Sequence, residues 1–266
     1  MKPETNNHFA NKIVAIDVSH HNHKKNGNNY IPLDWNKIIN SNYQNHKIAL
    51  VILKATERDT FVSATFATDI KTLQTLKIPV GAYHFWNSNQ NQNYPLTGEQ
   101  QAKHFINTLE NNNFNKKHPW FLDLEQNTRE TNDKIESKQF AKQIENFCKT
   151  VTKEGFANGL IYTGARFWND NIGEAGNDLW KNYNLWLARY GKNDGNIPEG
   201  DKYYKDLPMG IQKPPMLWQF TSKGELIYQD QKKQEKTTMI YKDQQTNDTG
   251  EIVSFTGDIS LISSEF

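Results

Sequence analysis

Cysteine is nearly missing from this chain: Cys148 stands alone among 266 residues, so no internal disulfide can form. It falls in a segment with helical spacing, where a lone thiol is more often a small core residue than a nucleophile. Charge of one sign is missing too. Thirty-one basic residues face thirty acidic ones, for a net charge of +1, and no basic run or stripe stands out, which argues against nucleic-acid binding by bulk electrostatics. No run approaches the roughly 18 apolar residues of a membrane span. Met1 to Asn11 is polar and has no apolar centre, so no secretory signal is visible and residues 1–12 are expected to be a flexible lead-in. The mean hydropathy of −0.84 reflects Asn, Gln and Lys in surface segments. A Gly-rich phosphate loop is also lacking after the first apolar run, which disfavours a doubly wound dinucleotide fold.

What is present is a series of short apolar runs. Ile13–Val18, Ile48–Lys54, Ile78–Phe85, Pro119–Glu125, Gly159–Thr163, Asn184–Ala188, Pro215–Phe220 and Ile252–Asp258 each read as a buried strand. Between the early ones lie segments of helical period. Phe66, Ile70, Leu73 and Leu76 space one helix, and Phe140, Ile144, Phe147 and Val151 another. Asp34 and Thr97 are placed to cap helices. Strand–helix alternation implies parallel pairing with helices outside the sheet. Eight such units predict an α/β fold, an irregular (β/α) barrel of the TIM type with few helices in its last third. A single catalytic domain is expected over residues 13–266, with a polar insertion at about 226–251 forming an extended hairpin or loop.

A barrel of this kind collects its chemistry at the C-terminal ends of its strands. Those ends carry Asp17, Lys54 with Glu57, Tyr83 with His84, Asp123 with Glu125, Tyr162, Trp186, Gln219 and Asp258. Along Pro119–Glu125 side chains alternate, so Asp123 and Glu125 share a face with Cα atoms about 7 Å apart. One carboxylate beside another raises proton affinity, which keeps a general acid protonated near neutrality. Aromatic rings and carboxylates together are the chemistry of a sugar site: rings cover apolar sugar faces, and acids transfer protons and stabilise an oxocarbenium-like transition state.

These segments resemble glycoside hydrolase family 25, the lysozymes that cut peptidoglycan between N-acetylmuramic acid and N-acetylglucosamine. The resemblance is carried by Ala-Ile-Asp-Val-Ser-His-His-Asn from Ala15, Asp34-Trp35, and Val-Ile-Leu-Lys-Ala-Thr-Glu from Val51. It continues through Val-Gly-Ala-Tyr-His-Phe from Val80, Gln101-Ala102, Leu-Asp-Leu-Glu from Leu122 and Ile-Tyr-Thr-Gly from Ile161. Leu-Trp-Leu-Ala-Arg-Tyr-Gly from Leu185, Leu-Trp-Gln-Phe-Thr-Ser from Leu217 and Gly257-Asp258 complete it. The resemblance implies Glu125 as the general acid, and Asp123 as its partner, raising that acid's pKa or holding the substrate acetamido group. It implies Asp17 and Asp258 as flanking acids, and Tyr83, Tyr162, Trp186 and Gln219 as substrate-binding wall positions. No metal and no cofactor is implied. The insertion after Ser222 departs from the family pattern and leaves Asp230, Asp243 and Asp248 near Asp258; the apolar run before Gly257 favours Asp258.

His20, His21 and His23 beside Asp17 raise the alternative of a metal-dependent polysaccharide deacetylase, but their spacing matches no ligand pattern, and a solvated loop is the plainer expectation. A non-catalytic glycan-binding domain is the other alternative, disfavoured by the presence of all four acids. Lys54 and Glu57 are expected as a structural ion pair, and His84 as a hydrogen-bonded barrel residue. The expected partner is the peptidoglycan glycan strand, with no nucleic acid and no membrane span. Monomeric action at the cell wall, periplasmic or extracellular, is expected. Wall remodelling, phage lysis and toxin delivery, the last with an immunity or delivery protein as partner, all fit.

Overall fold

The computed structural model describes residues 9, 13–87, 97–126, 135–198, 206–229, 236–239 and 256–266. Its strands are β1 (Ile13–Val18), β2 (Lys25–Asn26), β3 (Asn29–Tyr30), β4 (Asn42–Tyr43), β5 (His46–Glu57), β6 (Phe61–Val62), β7 (Val80–Phe85), β8 (Trp120–Asp123), β9 (Gly159–Thr163), β10 (Asn184–Ala188), β11 (Leu217–Gln229), β12 (Lys236–Met239) and β13 (Thr256–Ile262). The helices are α1 (Trp35–Ile39), α2 (Phe66–Thr75), α3 (Gly98–Asn111), α4 (Ser137–Lys153) and α5 (Ala165–Asn171), with a 3-10 segment over Gly173–Lys181.

Eight strands close into a barrel in the order β1-β13-β11-β10-β9-β8-β7-β5, and β5 pairs back onto β1. Seven run parallel. The eighth does not: β13 is antiparallel to both β1 and β11. The expected strand over Ile252–Asp258 lies later, at Thr256–Ile262, and residues 252–255 lie outside the described ones. Asp258 therefore sits near the start of its strand, not the end. Because that strand is reversed, its start is at the same mouth of the barrel as the ends of the other seven.

Alternation along the strands sorts side chains into two cores. Ala15, Leu50, Ile52, Phe121, Leu160, Tyr162, Trp186, Leu217 and Ile262 fill the barrel interior. Trp120, Leu122 and Leu124 point the other way and pack with Phe105, Phe140, Ile144 and Phe147 of α3 and α4. Two glycines make room for the bulky β8. A Cβ on Gly81 would lie 2.6 Å from the Phe121 ring, and one on Gly159 would lie 2.2 Å from the Trp120 ring. Both neighbours of β8 thus give up a side chain so that its aromatics fit on either face.

The helix caps follow the sequence. Asp34 accepts from the Lys37 backbone N–H, and Thr97 forms a reciprocal capping box with Gln100. Within the expected lead-in, Phe9 is the described residue, and it is buried with its ring 6.1 Å from that of Trp218. Of the expected insertion, β11 runs on to Gln229 and pairs with β12 as a hairpin; residues 230–235 and 240–251, including Asp230, Asp243 and Asp248, lie outside the described ones.

Candidate active site

The parity that puts Ala15, Phe121 and Leu217 inside the barrel carries on to Asp17, Asp123 and Gln219, two residues further along each strand. Glu125 continues it past the end of β8, with Leu124 held extended by its N–H to the Tyr162 carbonyl at 2.9 Å. From the reversed strand, Asp258 lies opposite Asp17 as its Cα partner. The result is a cleft of about 400 Å³ lined by Asp17, Asp123, Glu125 and Asp258 together with Tyr83, Tyr162, Trp186 and Gln219. All eight sequence-selected residues meet there. A second hollow, of about 380 Å³, lies by the start of β10 between the 3-10 segment and residues 210–214. It is at the opposite end of the barrel and holds a single acid, Asp178, so it offers no comparable chemistry.

The cleft is a place where carboxylates keep protons. Burial first, then the charge of Asp258, pushes Asp17 well above the ordinary carboxylate range, against the opposing hydrogen bond from Gln219. Asp123, 8% exposed, is pushed well up by burial and then by Glu125, with Lys54 pulling down. Glu125 stands at the mouth with part of its side chain open to the cleft; the desolvation of its carboxyl first, and then Asp258, raise it. The push within the strand pair therefore falls on the deeper acid. Asp258 is the acid that raises Glu125.

The walls are aromatic. Trp186 packs edge-on to Phe121 and to Tyr162, with centroids 5.0 and 4.6 Å apart, and its Nε1 donates to Ser260 Oγ at 2.9 Å. Tyr162 donates to Gln219 Oε1 at 2.7 Å, and Gln219 Nε2 donates to Asp17 Oδ2 at 2.9 Å. The polar ends of three wall residues are thus engaged by protein groups. Tyr190, which the sequence reading did not single out, joins the wall and donates to Gln219 Oε1. Its signal was an aromatic residue two positions beyond the end of β10.

Lys54 also lines the cleft, buried and paired with Glu57 at 2.9 Å. Asn87 supports Glu57 from its other oxygen at 3.1 Å. His84 lies outside the barrel wall, between Thr56 Oγ1 at 2.7 Å and Gln101 Oε1 at 2.9 Å. The three loop histidines part company. His21 lines the cleft, and His20 stacks on it. His23 is not solvated as expected: it is buried, bonding to the Ile31 carbonyl at 3.1 Å and to Asp69 at 2.9 Å. Among the described residues no group of three or more His, Cys, Asp or Glu is arranged to hold a metal ion, and no helix is long and apolar enough to cross a membrane.

Residues 16–227 match the model of the glycosyl hydrolases family 25. The chain belongs to this family. The uncharacterised protein YegX of Escherichia coli is 24% identical over 178 residues, 67% of this chain and 56% of that protein; the chain thus matches about half the length of this curated relative. Among solved structures, the bacterial lysozyme from Streptomyces coelicolor superposes with a TM-score of 0.62 at 18% identity, covering 95% of this chain and 94% of that one. The modular autolysin LytC from Streptococcus pneumoniae gives 0.60 at 21% identity, covering 93% of this chain and 46% of that one. At these identities the likeness is one of fold, and it agrees with the family 25 barrel.

Proposed function

We propose that this chain is a lysozyme, an N-acetylmuramidase that hydrolyses the β-1,4 bond between N-acetylmuramic acid and N-acetylglucosamine of peptidoglycan. One observation carries the reading: four acids from three strands converge at one barrel mouth, and burial and mutual repulsion raise the proton affinity of Asp17, Asp123 and Glu125. Family membership and the lysozyme and autolysin folds support it.

Glu125 is the general acid. It is the member of the set exposed to the cleft, so a glycosidic oxygen can reach it, and its raised pKa keeps its proton available. Proton transfer to that oxygen breaks the bond to the anomeric carbon and leaves oxocarbenium character on the sugar. Asp17 and Asp258 line the other side and stabilise that charge. Asp123, deeply buried and raised well above the ordinary carboxylate range, holds the acetamido group by hydrogen bonding. Water then supplies hydroxide to the anomeric carbon, and its proton returns to the carboxylate set. Tyr83 and Trp186 provide ring surface for the sugars. No step uses a metal or cofactor. The site of action is the cell wall, periplasmic or extracellular.

The test is Glu125→Gln. It should abolish clearing of purified walls while leaving the thermal midpoint nearly unchanged, and mass spectrometry of wild-type digests should show new reducing muramic ends. Retained clearing by the variant, or loss of acetyl groups without chain cleavage, rules the reading out. Chelator treatment should leave activity intact.

A further inference from the structure

Gln219 was expected to meet the substrate, yet both ends of its amide are committed within the protein. Its Oε1 accepts from the hydroxyls of Tyr162 and Tyr190, which lie 3.5 Å from each other. A carbonyl oxygen has two lone pairs, and two phenols fill them. The amide does not turn over, because its oxygen would then face the Asp17 carboxylate and both phenols would lose their common acceptor. Nε2 is left pointing at Asp17 Oδ2, 2.9 Å away. Gln219 is 3% and Tyr162 6% exposed, so water competes little for the bond between them, while Tyr190, at 40%, is the wetter arm.

We propose that Tyr162 and Tyr190 are positioning residues for Asp17, acting through Gln219. The two phenols lock the amide so that one charge-assisted hydrogen bond reaches a single oxygen of Asp17. That bond fixes the carboxylate's rotamer and favours its ionised form, the form able to stabilise positive charge on the sugar. It rests on the muramidase reading for the role of Asp17, but the relay itself is a property of the fold. The groups facing Asp17 are mostly acids: Asp258 from β13 and Glu125 beyond β8, with the Tyr83 phenol from β7 and the Lys54–Glu57 pair at the end of β5. The Gln219 donor opposes that acidic surround. Both phenols stay protonated donors at working pH, since burial pushes Tyr162 and Tyr190 above the ordinary tyrosine range.

The test follows the Asp17 carboxyl carbon by ¹³C NMR during a pH titration, the signal being assigned by its loss in Asp17→Asn. Loss of a charge-assisted hydrogen bond should raise the Asp17 midpoint by roughly one pH unit in Gln219→Leu and in the Tyr162→Phe/Tyr190→Phe double variant. The partly exposed single variant Tyr190→Phe, which leaves the buried packing intact, should show a smaller rise. In wall digestion these variants should lower kcat with KM little changed, and the acid limb of the rate profile should move up with the NMR midpoint. An unmoved Asp17 midpoint in Gln219→Leu and in Tyr190→Phe overturns the relay, as does a rise in KM with the acid limb in place, which would mark these groups as sugar contacts. A wild-type protein that fails to cleave walls while its Asp17 midpoint still responds overturns the muramidase reading and leaves the relay standing.

Discussion

Asp17 and Asp258 are Cα partners across an antiparallel pair, at the mouth of a barrel whose other seven strands are parallel. Reversal of β13 brings an acid from near the C-terminus to face one from the first strand. Two carboxylates so placed cannot both ionise without cost, and the repulsion reaches Glu125 as well.

Removing that charge has a definite sign. Asp258 raises both Asp17 and Glu125, so Asp258→Asn should lower both. In the proposed mechanism Glu125 must hold its proton and Asp17 must release its own, so the alkaline and acid limbs should both move to lower pH, by roughly half to one unit. kcat should also fall, on the order of 10²-fold. Profiles of kcat/KM against pH check this, and an unmoved alkaline limb would place Asp258 outside the reacting set.

Lys54 and Glu57 make a separable prediction about stability. Lys54 is buried and Glu57 half-buried, with Lys54 Nζ 4.6 Å from the Phe85 ring centroid. Lys54→Met removes the closer of two cations from Glu57, leaving Arg58 at 3.5 Å, and should cost about 2 kcal/mol. The double variant Lys54→Met/Glu57→Leu should recover most of that loss. Denaturant midpoints test it, and a double variant less stable than the single would show the pair to be a net stabiliser. Since Lys54 lowers the proton affinities of Asp123 and Glu125, activity that survives in the single variant should keep its alkaline limb to higher pH.

Much of this architecture was legible in the sequence, and the losses have physical reasons. Seven strands could be placed because each is a short apolar run bounded by polar residues, and parity then put Asp17, Asp123 and Glu125 on the inner face. A hydrophobic run carries no direction, so nothing local marked the last strand as reversed. Asp258 was selected for the right neighbourhood but as a strand end. The bonds from Gln219 to Tyr162 and Asp17 join residues 57 and 202 positions apart, a distance at which no spacing rule operates. His23 looked solvated because its neighbours are polar; its partner Asp69 lies on α2, and the two meet only in the folded chain.

His84 should make the fold sensitive to acid. Burial lowers its pKa to about 3, against an unfolded value near 6.5. A depressed folded value means stability present above the unfolded pKa and lost as pH falls, because the unfolded chain binds a proton that the folded one refuses. The window runs from about 6.5 to about 3. A His84→Gln variant should be less stable at pH 7, since it disturbs the bonds to Thr56 and Gln101, but the gap to wild type should narrow on acidification. Unfolding free energies at pH 7, 5 and 4 measure it; a constant gap would mean that His84 is protonated in the fold.

Asp123 should show the opposite sign. Its folded pKa is raised, chiefly by burial and then by Glu125, so the folded chain holds a proton that the unfolded one releases. Its contribution is fully present below the ordinary carboxylate range and is lost as pH rises through the folded value. At neutral pH the buried acid is therefore a burden on the fold, retained for the site. Asp123→Asn keeps the shape, removes the titrating group and should raise the thermal midpoint at pH 7 by a few degrees, corresponding to about 1 kcal/mol. Near pH 3 the advantage should vanish, because the wild-type acid is then neutral in both states. Wall digestion should fall sharply in the same variant. Scanning calorimetry across pH 3 to 8 tests the stability half, and a variant equally stable or less stable than wild type at pH 7 would mean that Asp123 is stabilised by contacts that outweigh its burial.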